Sequence, residues 1–226
     1  MLALLFNKGY AQIPAGRYYY PEFTYMIWVK TLSYNNWQRI LDFGDGFRIN
    51  NLIIAQFAAT GRGYLHANGV EKNILNVSYP LNEWVHVAFT SDTKSRLYIN
   101  CVQIIELNSN MTVQNTTLNY IGKSQTSVDE KLNAVVDDFK IFNKALSVEE
   151  ILKEKGDFKE KEKTVANSLV NHWPMDNSEK DIVGGKDMVI KENGKYTTDR
   201  FGNENSGNSK SFLFLKGSNR SIILFT

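Results

Sequence analysis

Cysteine is nearly missing from this chain: one residue, Cys101, among 226. No intrachain disulfide framework is available, and cysteine usage points to neither an oxidising nor a reducing compartment. An excess of charge of one sign is missing too, since 26 Lys and Arg oppose 24 Asp and Glu, for a formal net charge of +2. Binding to nucleic acid normally needs a concentrated basic face, so the balance argues against it. Met1 to Phe6 is apolar, but it has no basic flank and stops at Asn7-Lys8-Gly9, too short for a signal-peptide core or a membrane span. Histidine is scarce, and His66, His86 and His172 stand in no HxxxH or similar metal spacing. Each is expected to pack or hydrogen-bond within a strand. Cys101 has no CxxC partner and reads as a surface thiol.

What the chain does have is short apolar and aromatic runs. FTYMIWVK (23–30) is dense in aromatic and β-branched residues without a helical stripe, and reads as a strand buried on both faces. RILDFG, FRINNLIIAQFAA, GYLHANG, WVHVAFTSD, SRLYINCVQIIEL, LNYIGKS and VVDDFKIF follow, separated by Gly, Asn, Asp, Ser or Pro. That is the spacing of an antiparallel sandwich, and no helical pattern intervenes before residue 146. Asn100-Cys101 falls where a two-residue hairpin turn belongs, although Cys fits a positive φ less easily than Gly.

After Leu146 the texture changes. Ser147 with Glu150 fits a capping box ahead of a short helix. From Glu149 to Lys163 eleven of fifteen residues are charged, with mixed signs, as in a solvated helix or linker. The boundary is placed at residues 153–167. Beyond it LVNHWPMDN opens a new apolar segment, and FLFLKGSNRSIILF echoes LLFNKGYAQIP near the start.

LLFNKGYAQIPAG, FTYMIWVK, NEWVHVAFTSD with SRLYINCVQI, and VVDDFKIFNKALSVEEI stand in the order found in laminin-G-like (concanavalin A-like) jelly-roll domains. The resemblance covers almost all of residues 1–152. The segment that usually opens such a domain is missing from the N-terminus and is instead similar to His172-Trp173-Pro174-Met175-Asp176, Asp181, Gly184-Gly185, Thr198 to Gly202 and Phe212 to Gly217. The expected fold is therefore all-β: an antiparallel two-sheet sandwich of the jelly-roll kind with a short C-terminal helix and linker. Residues 1–152 form a jelly roll lacking its opening strands, 153–167 the linker, and 168–226 the opening of a second module, expected to dock onto the first.

Retaining glycoside hydrolysis needs two carboxylates about 5 to 5.5 Å apart. Asp42 with Asp45 is interrupted by Gly44, and Asp137 with Asp138 should point to opposite faces of a strand, so no catalytic residue is assigned. The resemblance implies loops that often hold calcium through oxygen ligands; Asp138, which matches the family's Asp before the penultimate strand, and Asp176 and Asp181, which match the opening segment of the following module, are the candidates. Turn capping is the alternative role for these aspartates. Aromatic rings offer sugars a stacking surface, and Tyr34, Trp37 and Tyr64 are the candidates, with Tyr18-Tyr19-Tyr20 also placed in loops. Asn76, Asn110, Asn115 and Asn219 lie in N-x-S/T sequons, close to the number chance would give. The resemblance implies an extracellular or cell-surface binding module that takes a glycan or protein ligand beside neighbouring modules, without membrane insertion. A structural spacer and a degenerate glycoside hydrolase are the alternatives.

Overall fold

A computed structural model describes residues 2–156 and 166–202. The sequon at Asn219 and the echo at Phe212 to Gly217 lie outside the described residues. The elements run β1 (Leu2–Ile13), β2 (Gly16–Tyr19), β3 (Phe23–Thr31), β4 (Arg39–Gly44), β5 (Leu52–Gln56), β6 (Arg62–Ala67), β7 (Val70–Ser78) and β8 (Trp84–Ser91). β9 (Ser95–Ile99), β10 (Val102–Leu107), β11 (Gln114–Thr116), β12 (Leu118–Ile121), β13 (Leu132–Phe142), α1 (Val148–Glu154), β14 (Leu169–Trp173) and β15 (Val189–Thr198) complete the series. The pairings among these strands are antiparallel, in the order β10-β9-β8-β3-β13-β1-β12-β4-β5-β6-β7, with β14 added to β13 and β15 to β1. β2 and β11 form a separate ribbon.

The long β1 belongs to two layers. Leu4 to Gly9 pairs with β13, whereas Ala11 to Ile13 pairs with β12. Between them Lys8 takes a left-handed backbone, φ 54°, and the register slips. A bulge of this kind bends a strand and raises its twist. Gly9 is required here because a Cβ would meet the Glu192 carbonyl oxygen at 2.2 Å. Layer I is thus β10-β9-β8-β3-β13 with the first half of β1, and layer II is the second half of β1 with β12-β4-β5-β6-β7.

The space between the layers is filled by Leu4, Phe6, Ile27, Val29, Phe43, Leu52, Phe89, Val136 and Phe139, all buried. Tyr18 and Tyr19, expected in a loop, sit on β2 within this core. Tyr19 can be buried because its hydroxyl donates to the Phe43 carbonyl (2.7 Å) and accepts from the Leu52 amide (3.1 Å). The Asn100-Cys101 turn adopts positive φ at both residues, 49° and 66°, as a two-residue hairpin demands.

Among the described residues α1 is the one α-helix, and both halves of the Ser147–Glu150 capping box are formed. Ile151 and Leu146 pack with Phe142, Met26, Ala88 and Tyr98 on the outer side of layer I. β14 aligns Trp173 with Phe139 of β13, and the two rings stack at 5.2 Å with Trp173 fully buried. β15 follows β1 from Leu2 to Gln12.

Candidate functional site

Strand register sets the outer face of layer II. Cross-strand pairing runs Gln12–Tyr120–Asp42–Ile53–His66–Glu71, with Arg39–Ala55–Tyr64–Asn73 as the neighbouring row. Paired residues share a face, and Ile53, Ala55 and Tyr64 form a small apolar cluster with Trp37 and Phe57, separate from the main core. Trp37 stands edge-on to Phe57 (4.9 Å) and to Tyr64 (5.2 Å), with the Arg39 guanidinium 5.6 Å from its ring centre.

Trp37 is half-buried and has φ 54°, a conformation that a bulky side chain rarely takes. Its neighbour Gln38 holds the turn: its side chain donates to the Ser33 carbonyl (2.5 Å) and accepts from the Asn133 amide (3.0 Å), and its carbonyl accepts from Gln56 N (3.1 Å). Strain kept in place by surrounding bonds in this way is concentrated at functional sites.

Polar groups border the rings. Tyr64 donates to Glu71 Oε2 at 2.6 Å, and Arg48 approaches the same oxygen at 3.1 Å. The Tyr64 bond holds the Glu71 carboxyl below its usual range. His66 accepts the Gly69 amide at Nε2, which leaves its ring proton on Nδ1, 3.6 Å from Glu71. Burial favours the neutral imidazole and outweighs the pull of Glu71. Arg39 bonds Asp129 at 2.8 Å and the Trp37 carbonyl at 3.0 Å. Asp42 lies beneath, accepting from Asn51, from the Gln125 amide and from Gln125 Nε2. Burial pushes its carboxyl up to about 6 against those bonds. At the far end of the row Tyr10 and Tyr120 meet edge to face at 5.8 Å beneath Lys123.

Of the ligand candidates, the fold brings Trp37 and Tyr64 together and leaves Tyr34 apart. Tyr34 packs on Gly61 and donates to the Tyr79 carbonyl at 2.7 Å. Tyr64 lies on strand β6 and not in a loop, and Phe57, Arg39 and Glu71 join the cluster without having been singled out. Strand alternation from Tyr64 to His66 was the available signal, obscured because that strand is buried almost throughout.

The carboxylates are occupied. Asp45 accepts from the Thr117 amide and hydroxyl. Asp137 and Asp138 do not face apart: a bulge at Asp138, φ 55°, lets Arg200 reach Asp137 at 2.5 Å and Asp138 at 3.5 Å. Burial pushes Asp137 up to about 7 despite Arg200. Asp138 is also buried, but His172 (2.5 Å), Lys140 (3.2 Å) and Arg200 together hold it well below the usual carboxylate range. Asp176 accepts the Leu2 amide, and Asp181 accepts from Asn171 and from the amides of His172, Val183, Gly184 and Lys186. Among the described residues no three His, Cys, Asp or Glu side chains gather to hold a metal ion. Asn110 and Asn115 are exposed, and Asn76 lies on β7.

A second opening, an open groove of about 670 Å³, runs beside α1 between Thr90, Tyr98, Leu146 and Val148. Its charges pair with one another or with Glu106: Arg96 with Asp92 and Glu106, Lys144 with Glu150.

An antiparallel jelly-roll sandwich with ringed and polar groups on one outer face defines a lectin-like fold. A family profile described as the concanavalin A-like lectin/glucanases superfamily matches residues 6–152, and the chain belongs to that superfamily. Among solved structures it is similar to a Bacteroides ovatus protein described as carbohydrate-binding, with TM-score 0.66, 16% identity, and coverage of 87% of this chain and 59% of that one. The chain thus spans 59% of that protein's length. A heptameric SAP-like pentraxin from Limulus polyphemus gives 0.59 at 13% identity, covering 86% and 94%. Domain 4 of AbnA, a GH43 extracellular arabinanase from Geobacillus stearothermophilus, in complex with arabinotriose, gives 0.52 at 16%, covering 67% and 75%. No curated protein matches the chain.

Proposed function

We propose that this chain is a glycan-binding module with no chemistry of its own, belonging to a larger extracellular or cell-surface protein. The observation that carries the proposal is the Trp37–Phe57–Tyr64 ring cluster on the outer face of layer II, in which Trp37 and Phe57 are partly exposed over a buried Tyr64, bordered by Arg48, Glu71 and Arg39. Sugars stack their apolar faces on such rings while hydroxyls reach the polar border. The fold relatives described as binding carbohydrate or arabinotriose support the same reading.

Hydrolysis is not favoured. Asp42 and Glu71 have carboxyl groups shifted in opposite directions, as an acid and its partner would. They lie three strands apart, roughly 14 Å at about 4.8 Å per strand, beyond the reach of one scissile bond. Asp42 is also sealed under Gln125 and Asn51. The C-terminal segment is read as the opening of a second module, and its described part, residues 168–202, as serving to complete the sandwich of residues 1–152.

The test is a glycan array on the full chain, followed by calorimetry on the best binders with wild type and Trp37→Ala. The expected result is binding that Trp37→Ala weakens at least about tenfold, the scale of one stacking contact of 1 to 1.5 kcal/mol. Binding untouched by the substitution would move the site elsewhere, and no binding at all would leave a structural spacer. Turnover of any bound glycan would overturn the non-catalytic part.

A further inference from the structure

We propose that the ligand of this face is an acidic polysaccharide, one bearing carboxylates on its sugar units, read by Arg62 at one end of the row and Lys123 at the other. The inference rests on the glycan-binding reading above and adds the chemical class of the glycan.

Most cations around this face are neutralised by a carboxylate. Arg39 has Asp129 at 2.8 Å, Arg48 has Glu71 at 3.1 Å, Lys131 has Glu192 at 2.6 Å and Lys8 has Glu130 at 3.9 Å. Arg62 and Lys123 are the exceptions. Arg62 is exposed, stands two residues from Tyr64 on β6, and its guanidinium makes no hydrogen bond or ion pair among the described residues. Strand alternation puts it on the same face as Tyr64. Lys123 rests 4.7 Å from the Tyr120 ring centre and 4.8 Å from that of Tyr10, again with no carboxylate partner among the described residues.

Each unpaired cation therefore adjoins aromatic rings, and β4 and β5 separate the two strands that carry the rings. Three strand spacings put them about 14 Å apart, so a chain of sugars and not a single unit would bridge them. A guanidinium offers two parallel N–H donors that match a planar carboxylate, and the Lys123 ammonium adds a point charge. A neutral glycan could stack on the rings but would leave both cations unused. The carboxylates along the row repel an acidic ligand little, because Glu71 and Asp129 are each bonded to an arginine and Asp42 is covered by Gln125 and Asn51, which donate to it.

The experiment is isothermal calorimetry of the full chain with polygalacturonate, alginate and hyaluronate, each beside its carboxyl-reduced neutral form, at low and at physiological ionic strength. At least one polyuronate is expected to bind, with its reduced form at least about tenfold weaker and with affinity falling as salt rises. Arg62→Ala and Lys123→Ala should each cost about fivefold, the scale of one exposed ion pair, with Arg62→Lys recovering part of the loss. Equal binding of reduced and acidic forms overturns the charge assignment and leaves the glycan-binding reading intact. So does failure of every polyuronate while a neutral glycan binds on the array. Polyuronate binding unchanged in both alanine variants places the charge recognition at other residues and overturns the proposal. If no glycan of either kind binds, both readings fall together.

Discussion

Trp37 is held in a left-handed backbone that costs a residue of its size roughly 1 to 3 kcal/mol, so it is a place where binding and stability can be separated. Trp37→Gly relieves that strain while giving up ring packing on a half-exposed site. Its melting temperature is expected to stay within about 5 °C of wild type, while glycan affinity falls at least about tenfold. A large thermal loss would mean that the ring serves the fold and not a ligand.

Asp42 allows a pH test with a definite sign. Its folded-state carboxyl titrates near 6, above the 3.8 of the free group, because burial penalises the charge. The folded protein therefore binds this proton more tightly than the unfolded chain does. The benefit is full below about pH 4 and is lost as pH rises through about 6. Asp42→Asn should flatten that part of the stability–pH curve, by on the order of 3 kcal/mol at most, when urea midpoints are measured from pH 4 to pH 7. An unchanged slope would assign the effect to other groups. Asp138 makes the opposite case. With His172, Lys140 and Arg200 already on its oxygens, millimolar calcium should leave the melting temperature unmoved. A rise that disappears in Asp138→Ala would show that the ion displaces those partners.

At the scale of elements, apolar runs bounded by turn residues made most of the strands legible, and Ser147 with Glu150 marked the start of α1. Ser147→Ala is expected to cost about 1 kcal/mol, the usual worth of an N-cap, in a denaturant titration. Less legible were elements whose residues contradict the simple pattern. Tyr18 and Tyr19 look like polar-tipped loop residues, yet the backbone partners of Tyr19's hydroxyl let it enter the core. The bulge at Asp138 turns two adjacent carboxylates towards one arginine, and alternation alone cannot foresee it. The candidate face was half legible for a related reason. Trp37 and Tyr64 stand out as aromatics, but Phe57, Arg62 and Lys123 join them only through the cross-strand register of four strands.

Over the whole molecule, the described C-terminal strands belong to the same sandwich as the rest. Trp173, Met175 and Met188 are buried in its core, and the Arg200–Asp137 pair ties the end of the segment to β13. A chain ending at Gly156 would lose all of these and bare one edge of β1. Removing a buried Trp alone typically costs 3 to 5 kcal/mol, and an open edge recruits other chains. Residues 1–156 are therefore expected to aggregate or to elute as oligomers in size-exclusion chromatography. A soluble monomer with the melting temperature of the full chain would make the C-terminal strands dispensable.

The antiparallel alignment of β15 on β1 brings Thr198 beside Leu2, at one end of the ladder. A tension applied between these two residues would not slide the strands past each other, with the bonds sharing the load. It would peel them apart one rung at a time, beginning at Leu2–Thr198 and reaching Gln12–Val189 last. Under a load applied at Leu2 and Thr198 the β1–β15 seam should accordingly yield at low force while the β13–β3–β8 centre stays closed.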